Sequence, residues 1–251
     1  MKRPPVYRGY RSPVIAVLGF FMFSISLVLL LTLDLSRVPV WTVPPMMLWM
    51  TFLYTGLFIT VHDSMHGSIL PDHRGLNYLI GAISIFFYAL FSYGKLRDKH
   101  FKHHKHPASS EDPDYHDGTH KGFLRWYLRF MGRYISPLQI LGMAVIFNLL
   151  IFLAGLSWVN LLLFWVIPSL GSTLQLFFFG TYLPHREPEG GYANRYHARS
   201  NEFPFFLSLV TSYHFGYHLE HHIYPHVQWW RLPFVRRDLQ RYTRVSTDRK
   251  G

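Results

Sequence analysis

The chain has no cysteine among its 251 residues. That absence removes disulfides, thiolate metal sites and cysteine nucleophiles together. Acidic residues are scarce as well: 14 Asp and Glu stand against 25 Lys and Arg, for a formal net charge of +11. A balance this basic suits a nucleic acid or an anionic membrane surface, and the placement of the charges has to decide between them. Charge is missing altogether from four long stretches. Residues 14–33, 41–61 and 75–94 contain no Asp, Glu, Lys, Arg or His, and neither does the 51-residue run from Tyr134 to Pro184. A helix crosses the hydrocarbon core of a bilayer with about 20 apolar residues. The last run is therefore long enough for two crossings, divided by a turn near residues 155–160. No internal repeat or low-complexity segment is present.

Lys2, Arg3, Arg8 and Arg11 precede the first run much as they would in a signal peptide. The run is too long for one and lacks a small-residue cleavage site, so it reads as a retained anchor. Lys and Arg accumulate on the cytoplasmic side of a membrane protein. Only Arg37 falls between the first two runs and none in 155–160; the other 24 lie at the N-terminus, in 74–133, in 186–199 and from Arg231 onward. Both termini are thus expected in the cytoplasm, with an even number of spans at about 14–33, 41–61, 135–155 and 159–183. A crossing by residues 75–94 would break that parity. It would also hold the histidines on its two sides about 30 Å apart. With Gly75, Gly81 and Gly94 in it, this run reads as a re-entrant or interfacial helix. The expected fold is one all-α integral membrane domain over residues 1–251: four transmembrane helices, one non-spanning helix and a cytoplasmic helical cap. The basic charge becomes a property of the membrane surface, and no nucleic-acid partner is expected. The polar last dozen residues are expected to be disordered.

What the chain has in abundance is histidine, 16 in all. His62 and His66 in "HDSMH" are four apart and share one helix face. His100, His103 and His104 in "KHFKHHKHP" stand at i, i+3 and i+4, and His218, His221 and His222 in "YHLEHHIYPH" repeat that spacing. One H-x-x-x-H arises easily by chance. Two H-x-x-H-H boxes with it, all at cytoplasmic ends of apolar segments, point to metal ligation. Imidazole suits Zn, Cu, Fe and Ni alike. Eight box histidines exceed the needs of one four-coordinate ion, and two ions taking four or five nitrogens each need about nine. His185 in "LPHREP", at the cytoplasmic end of the last span, is the ninth candidate, with His214 as reserve because it lies four before His218. His106 and His226 are spare, and His73, His116, His120 and His197 read as loop residues. Ligating imidazoles hand their second nitrogen to a carboxylate or carbonyl; Asp63, Asp98, Asp112, Asp114 and Glu220 are available, Asp63 and Asp114 foremost. The E-x-x-H motif of soluble di-iron bundles is absent, so the site would be nitrogen-rich and of another kind.

At these residues the sequence resembles the membrane histidine-box di-iron superfamily of fatty-acid desaturases, alkane hydroxylases and carotenoid oxygenases. Four stretches carry the likeness: "FLYTGLFITVHDSMHG", "KHFKHHKHPASSEDPDYHDGTH", "PSLGSTLQLFFFGTYLPHREPEGGY" and "YHFGYHLEHHIYPHVQWWRLP". The strings "PASSEDPDYH" and "LPHREPEGGY" narrow it to the bacterial-type β-carotene ketolases. The resemblance covers most of residues 45–233 and implies two irons that activate O2. The implied reaction oxidises the allylic C4 methylene of a β-ionone ring, twice, to a gem-diol that loses water to a ketone. It implies an external donor such as reduced ferredoxin and a carotenoid arriving from the bilayer. A basic face can steer an acidic donor of that kind. Trp49, Tyr54, Phe58, Phe87, Phe177, Phe178 and Tyr182 are candidates to line a tunnel for the polyene, although aromatics in spans more often pack or belt the interface.

Three other readings compete. A carotenoid 3-hydroxylase would stop after one oxidation at a neighbouring carbon, and a fatty-acyl desaturase or hydroxylase would share the metal site with a different tunnel. A histidine-rich metal transporter would carry ionisable residues inside its spans, where this chain has none.

Overall fold

The computed structural model describes residues 8–248, with side chains through Arg241. Regular structure there is helical throughout, and no strand occurs among the described residues. Lys2 and Arg3 lie outside them. Helices α1 (Arg11–Leu31) and α2 (Val43–Met65) run antiparallel. Phe23 packs edge-on against Tyr54 at 4.8 Å, and Trp49 donates from Nε1 to Ser26. Then follow α3 (Arg74–Ala89), α4 (Tyr93–Lys105), α5 (Phe123–Tyr134) and α6 (Pro137–Phe152). The chain continues into a long helix, α7 (Trp158–His185). Short helices α8 (Phe205–Ser212) and α9 (His218–Ile223) precede α10 (Leu232–Asp248). Helix α10 runs through most of the tail expected to be disordered; residues 249–251 lie outside the described ones.

Among the described residues, three helices are long and apolar enough to cross a membrane alone: α1, α2 with its leading turn (Val40–Met65), and α7. The pairs α3–α4 and α5–α6 are bent by 103° and 85°, and counting each as one span brings the number to five. Of the four expected spans, the one over 135–155 is the short one. Helix α6 has 16 residues, about 24 Å. A capping box of Ser136 and Gln139 with Pro137 starts it, and Gly155 at φ +65° turns the chain after it. Asn160 at the start of α7 then donates to the carbonyls of Leu30 and Leu33, tying α7 to the end of α1.

Residues 75–94 follow an unusual course. Tyr88, near the end of α3, meets Tyr54 and Phe58 of α2 at 5.6 and 5.9 Å. Tyr54 lies eleven residues before Met65, so α3 descends beside α2 by only about 16 Å. Leu90 in the left-handed region (φ 56°) ends α3, and α4 leads back toward the end of α2. Gly81 is required for this: a Cβ there would stand 2.1 Å from both Ser64 Oγ and the Tyr93 ring. Polar side chains then tie the layers together. Thr55 donates to Gln175 at 2.6 Å, Tyr88 donates to Ser172 at 3.0 Å, and Gln175 donates to the carbonyl of Thr211. Such bonds between helices hold where lipid leaves no hydrophobic gain from helix contact. Helix α7 is not regular: Leu162–Val166 and Phe178–Tyr182 are π-helical, the second ending three residues before His185.

Topology can be tested directly in a cysteine-free chain. If the topology read from the charges holds, a single Ala154→Cys in the turn before α7 reacts with an impermeant thiol reagent from outside the cell, and His73→Cys and Lys105→Cys only after the membrane is opened. Labelling of the last two from opposite sides would contradict the course of α3 and α4.

Candidate metal centre

The ends of α2, α4, α7 and α9 converge, and each brings its histidines for a local reason. In α4 and α9 the H-x-x-H-H spacing sets three imidazoles on one face of a single turn. At α2 the i, i+4 pair does the same, and Pro184 in the last turn of α7 fixes the exit of the chain at His185.

The nine candidate histidines fall into two groups. His62, His66, His100, His104 and His221 form one; His103, His185, His218 and His222 form the other, with ligand nitrogens in each within 4.8 Å of one another. Nearest pairs are closer: His66 and His100 Nε2 stand 2.7 Å apart, His221 and His104 2.9 Å, His62 and His221 3.1 Å. In the second group His218 and His185 Nε2 are 2.9 Å apart, His222 and His218 3.1 Å, His103 and His222 3.2 Å. The groups adjoin through the His104 and His222 rings, at 4.4 Å. His214, the reserve candidate, belongs to neither. It sits at φ 62° before α9 and packs its ring among Phe205, Tyr217 and Trp229. His106 and His226 are also in neither group.

The donor set fits bound metal ions. Two nitrogens that share one ion stand no more than about 4.2 Å apart at metal–nitrogen bonds of ~2.1 Å, and the nearest pairs in each group meet that bound. Two outward nitrogens are hydrogen-bonded as expected of ligands, whereas Nδ1 of His218 and of His222 is buried without a partner. His103 Nδ1 donates to both oxygens of Asp112 at 2.9 and 3.0 Å, and His185 Nδ1 donates to the carbonyl of His197 at 2.8 Å. Asp63 Oδ1 lies 3.6 Å from His62 Nδ1, and Oδ2 accepts the Trp229 backbone N–H at 3.1 Å. With Nδ1 protonated, each Nε2 points a lone pair inward at other lone pairs, which a cation relieves. Burial and then mutual repulsion push His218, His221 and His222 well below the ordinary imidazole range. They are neutral at physiological pH, as metal ligation requires.

Some sequence assignments need revising. Asp112, not Asp114, makes the direct bond to His103; Asp114 Oδ2 is 3.8 Å away, and Oδ1 accepts from Tyr134. Burial lifts Asp114 to about 6. Glu220 pairs with Arg236 at 3.0 Å and accepts from Ser200, tying α9 to α10 instead of orienting a histidine. Asp98 is exposed. His197 has a role the sequence did not disclose: its carbonyl holds His185, while its Nδ1 donates to the Pro107 carbonyl at 3.1 Å and its ring stacks on Tyr192.

A narrow cavity of about 80 Å³ ends on His62, His100, His103 and His218, two from each group. Its remaining wall is apolar apart from Asp114, Tyr134, Thr173 and a few neighbours. Of the seven aromatics proposed for a tunnel, only Phe58 lines it; Tyr88, Phe91, Phe130, Tyr134 and Phe215 supply the other rings. Phe177, Phe178 and Tyr182 surround Phe123 of α5 instead. Tyr54 is core, and Phe87 packs on Phe20 with half its surface exposed. A wider groove of about 470 Å³ between α6 and α7 shares Tyr88, Phe91, Met131 and Thr173 with the cavity.

The sequence model of the fatty acid desaturase family matches residues 39–141 and 133–246. The chain belongs to that family. Within it, this desaturase-family chain is 42% identical over 190 residues to the beta-carotene ketolase of Paracoccus sp. strain N81106, covering 75% of this chain and 77% of that protein. The beta-carotene ketolase of Haematococcus lacustris is 43% identical over 195 residues, 74% of this chain and 59% of the relative. The zeaxanthin 4-ketolase of Chlamydomonas reinhardtii is 42% identical over 189 residues, 74% and 42% respectively. These relatives place the chain on the ketolase branch of the desaturase and hydroxylase superfamily.

Proposed function

We propose that the chain is a β-carotene 4-ketolase that converts the C4 methylene of a β-ionone ring to a ketone, through the mono-ketone echinenone to canthaxanthin. The observation that carries this reading is a cavity ending on histidines of two nitrogen groups, in a chain whose relatives at 42% identity are β-carotene ketolases. Two irons would be held by His62, His66, His100, His104 and His221 on one side and by His103, His185, His218 and His222 on the other. When bound they supply O2 activation at an allylic C–H bond. The chain's own residues do the positioning. Phe58, Ile85, Tyr88 and Leu96 line a narrow, mostly apolar slot. That slot suits a rigid ring and excludes the water that would compete at the reacting carbon. Asp112 and the His197 carbonyl keep His103 and His185 in the tautomer that turns Nε2 inward. The groove between α6 and α7 offers the polyene a lateral way in from the hydrocarbon layer, passing Met131 and Thr173.

The same reading sets the topology: α1, α2, α6 and α7 cross, α3 dips and returns with α4, and both termini and the centre face the cytoplasm. A reduced ferredoxin supplies electrons there. The test is expression in cells that accumulate β-carotene, followed by chromatography of the pigments. Echinenone is expected first and canthaxanthin later, because each ring reacts independently. Zeaxanthin alone would identify a 3-hydroxylase, and altered acyl chains with unchanged carotenoids would identify a desaturase.

A further inference from the structure

Ketolation of one ring consumes electrons this chain does not own. Methylene to ketone requires two O2, four electrons and four protons, and yields the ketone and three waters. Without cysteine the chain holds no ordinary iron–sulfur cluster to deliver them, so a partner must dock repeatedly.

The two histidine groups differ in depth. All four histidines of the second are buried, whereas His66, His100 and His104 of the first are half-buried. Above the first group lies the outer face of α4. Arg97, Phe101 and Lys105 stand at i, i+4 and i+8, one stripe along that helix, and all three are exposed. The Phe101 ring, 39% exposed, meets His66 edge-on at 5.5 Å and His100 at 6.2 Å. The Arg97 guanidinium lies over the Phe101 ring at 5.2 Å. Asp98 is exposed beside the stripe, and Lys95 and Lys102 are exposed farther round the same helix. An exposed apolar ring bordered by cations has the anatomy of a transient protein interface. The cations would steer an acidic partner toward it. A lipid surface would explain the cations but neither Asp98 among them nor the contact of Phe101 with a histidine of the centre.

We infer that the Arg97–Phe101–Lys105 stripe of α4 is the docking site of a small acidic one-electron iron–sulfur protein, whose electrons pass by way of Phe101 to the half-buried histidine group. The inference rests on the proposed oxygen chemistry. It is tested on the full chain in nanodiscs of zwitterionic lipid, with a plant-type [2Fe–2S] ferredoxin as probe. Arg97→Glu with Lys105→Glu should weaken ferredoxin binding and raise its KM by about tenfold, with a flatter dependence on salt. Bound iron should be unchanged, as should turnover driven by reduced methyl viologen. Phe101→Leu should leave the KM and the viologen rate in place but lower the rate at saturating ferredoxin. Arg241→Glu, an exposed basic residue on α10, is the control. Unchanged ferredoxin affinity in the double variant overturns the inference, as does a loss found only in binding to anionic vesicles, which would make the stripe a lipid surface. Wild-type protein that binds ferredoxin through the stripe yet oxidises no carotenoid with either reductant would remove the ketolase reading and leave the docking site standing.

Discussion

His185→Ala is expected to abolish ketolation and remove about one of two irons per chain, while the protein still accumulates in the membrane. His185 stands outside every histidine box, yet its Nε2 lies 2.9 Å from that of His218 and its Nδ1 is fixed by the His197 carbonyl. Loss of a mere supporting partner costs about 10–100-fold in metal affinity or activity, and loss of a ligand should exceed that. The side chain is 1% exposed, so truncation also leaves a void. His185→Gln separates the two effects, because it refills the volume and can still donate to the His197 carbonyl. If ligation is the role, the glutamine variant recovers stability but neither iron nor activity. Recovery of full iron with glutamine would reduce His185 to a packing residue. His73→Ala is the proper control, since His73 is an exposed loop residue. His197→Ala is not one: its ring anchors the loop whose carbonyl holds His185, and an intermediate loss is expected.

Thr173→Trp should stop ketolation of β-carotene with iron content intact. Thr173 lines the inner cavity and the outer groove alike. Its Oγ1 lies 2.7 Å from the Tyr127 hydroxyl and donates to the Leu170 carbonyl, so the position is held rigidly at the junction. An indole there would meet the polyene where the two spaces join. A displacement of about 1 Å at the reacting carbon already costs on the order of a hundredfold in rate, and a blocked passage should cost at least as much. Thr173→Val keeps the volume and removes the hydroxyl, and should retain most activity. Equal turnover by the tryptophan variant and wild type would mean that the substrate reaches the histidines by another way.

The histidine geometry was legible because i, i+3, i+4 spacing is a property of the helix and needs no tertiary knowledge. His185 could be picked out by counting nitrogens and by its place at the end of a span. His214 could not be judged, because equal facing with His218 presumes one continuous helix, and Tyr213 and His214 instead sit at positive φ before α9 begins. Asp112 and Asp114 are two residues apart in a loop, where no periodicity assigns direction. The aromatic lining failed for a related reason: hydropathy sees Phe58 and Tyr54 alike, although one faces the cavity and the other the core. Helix α6 fell short of the expected span because a charge-free run records what lipid tolerates and says nothing about where a cap begins the helix.

The π-helical turn at Phe178–Tyr182 means that α7 carries surplus chain just before the residue it delivers. A π turn amounts to one extra residue per turn, and about 100° of rotation follows for everything beyond it. The heading of His185 is therefore set by chain length as much as by its identity. Substitutions along Phe178–Tyr182 alter contacts, whereas removing one residue would wind the turn back to α and swing the imidazole away from its three neighbours. In this stretch indels, more than point changes, are what the centre has no means to absorb.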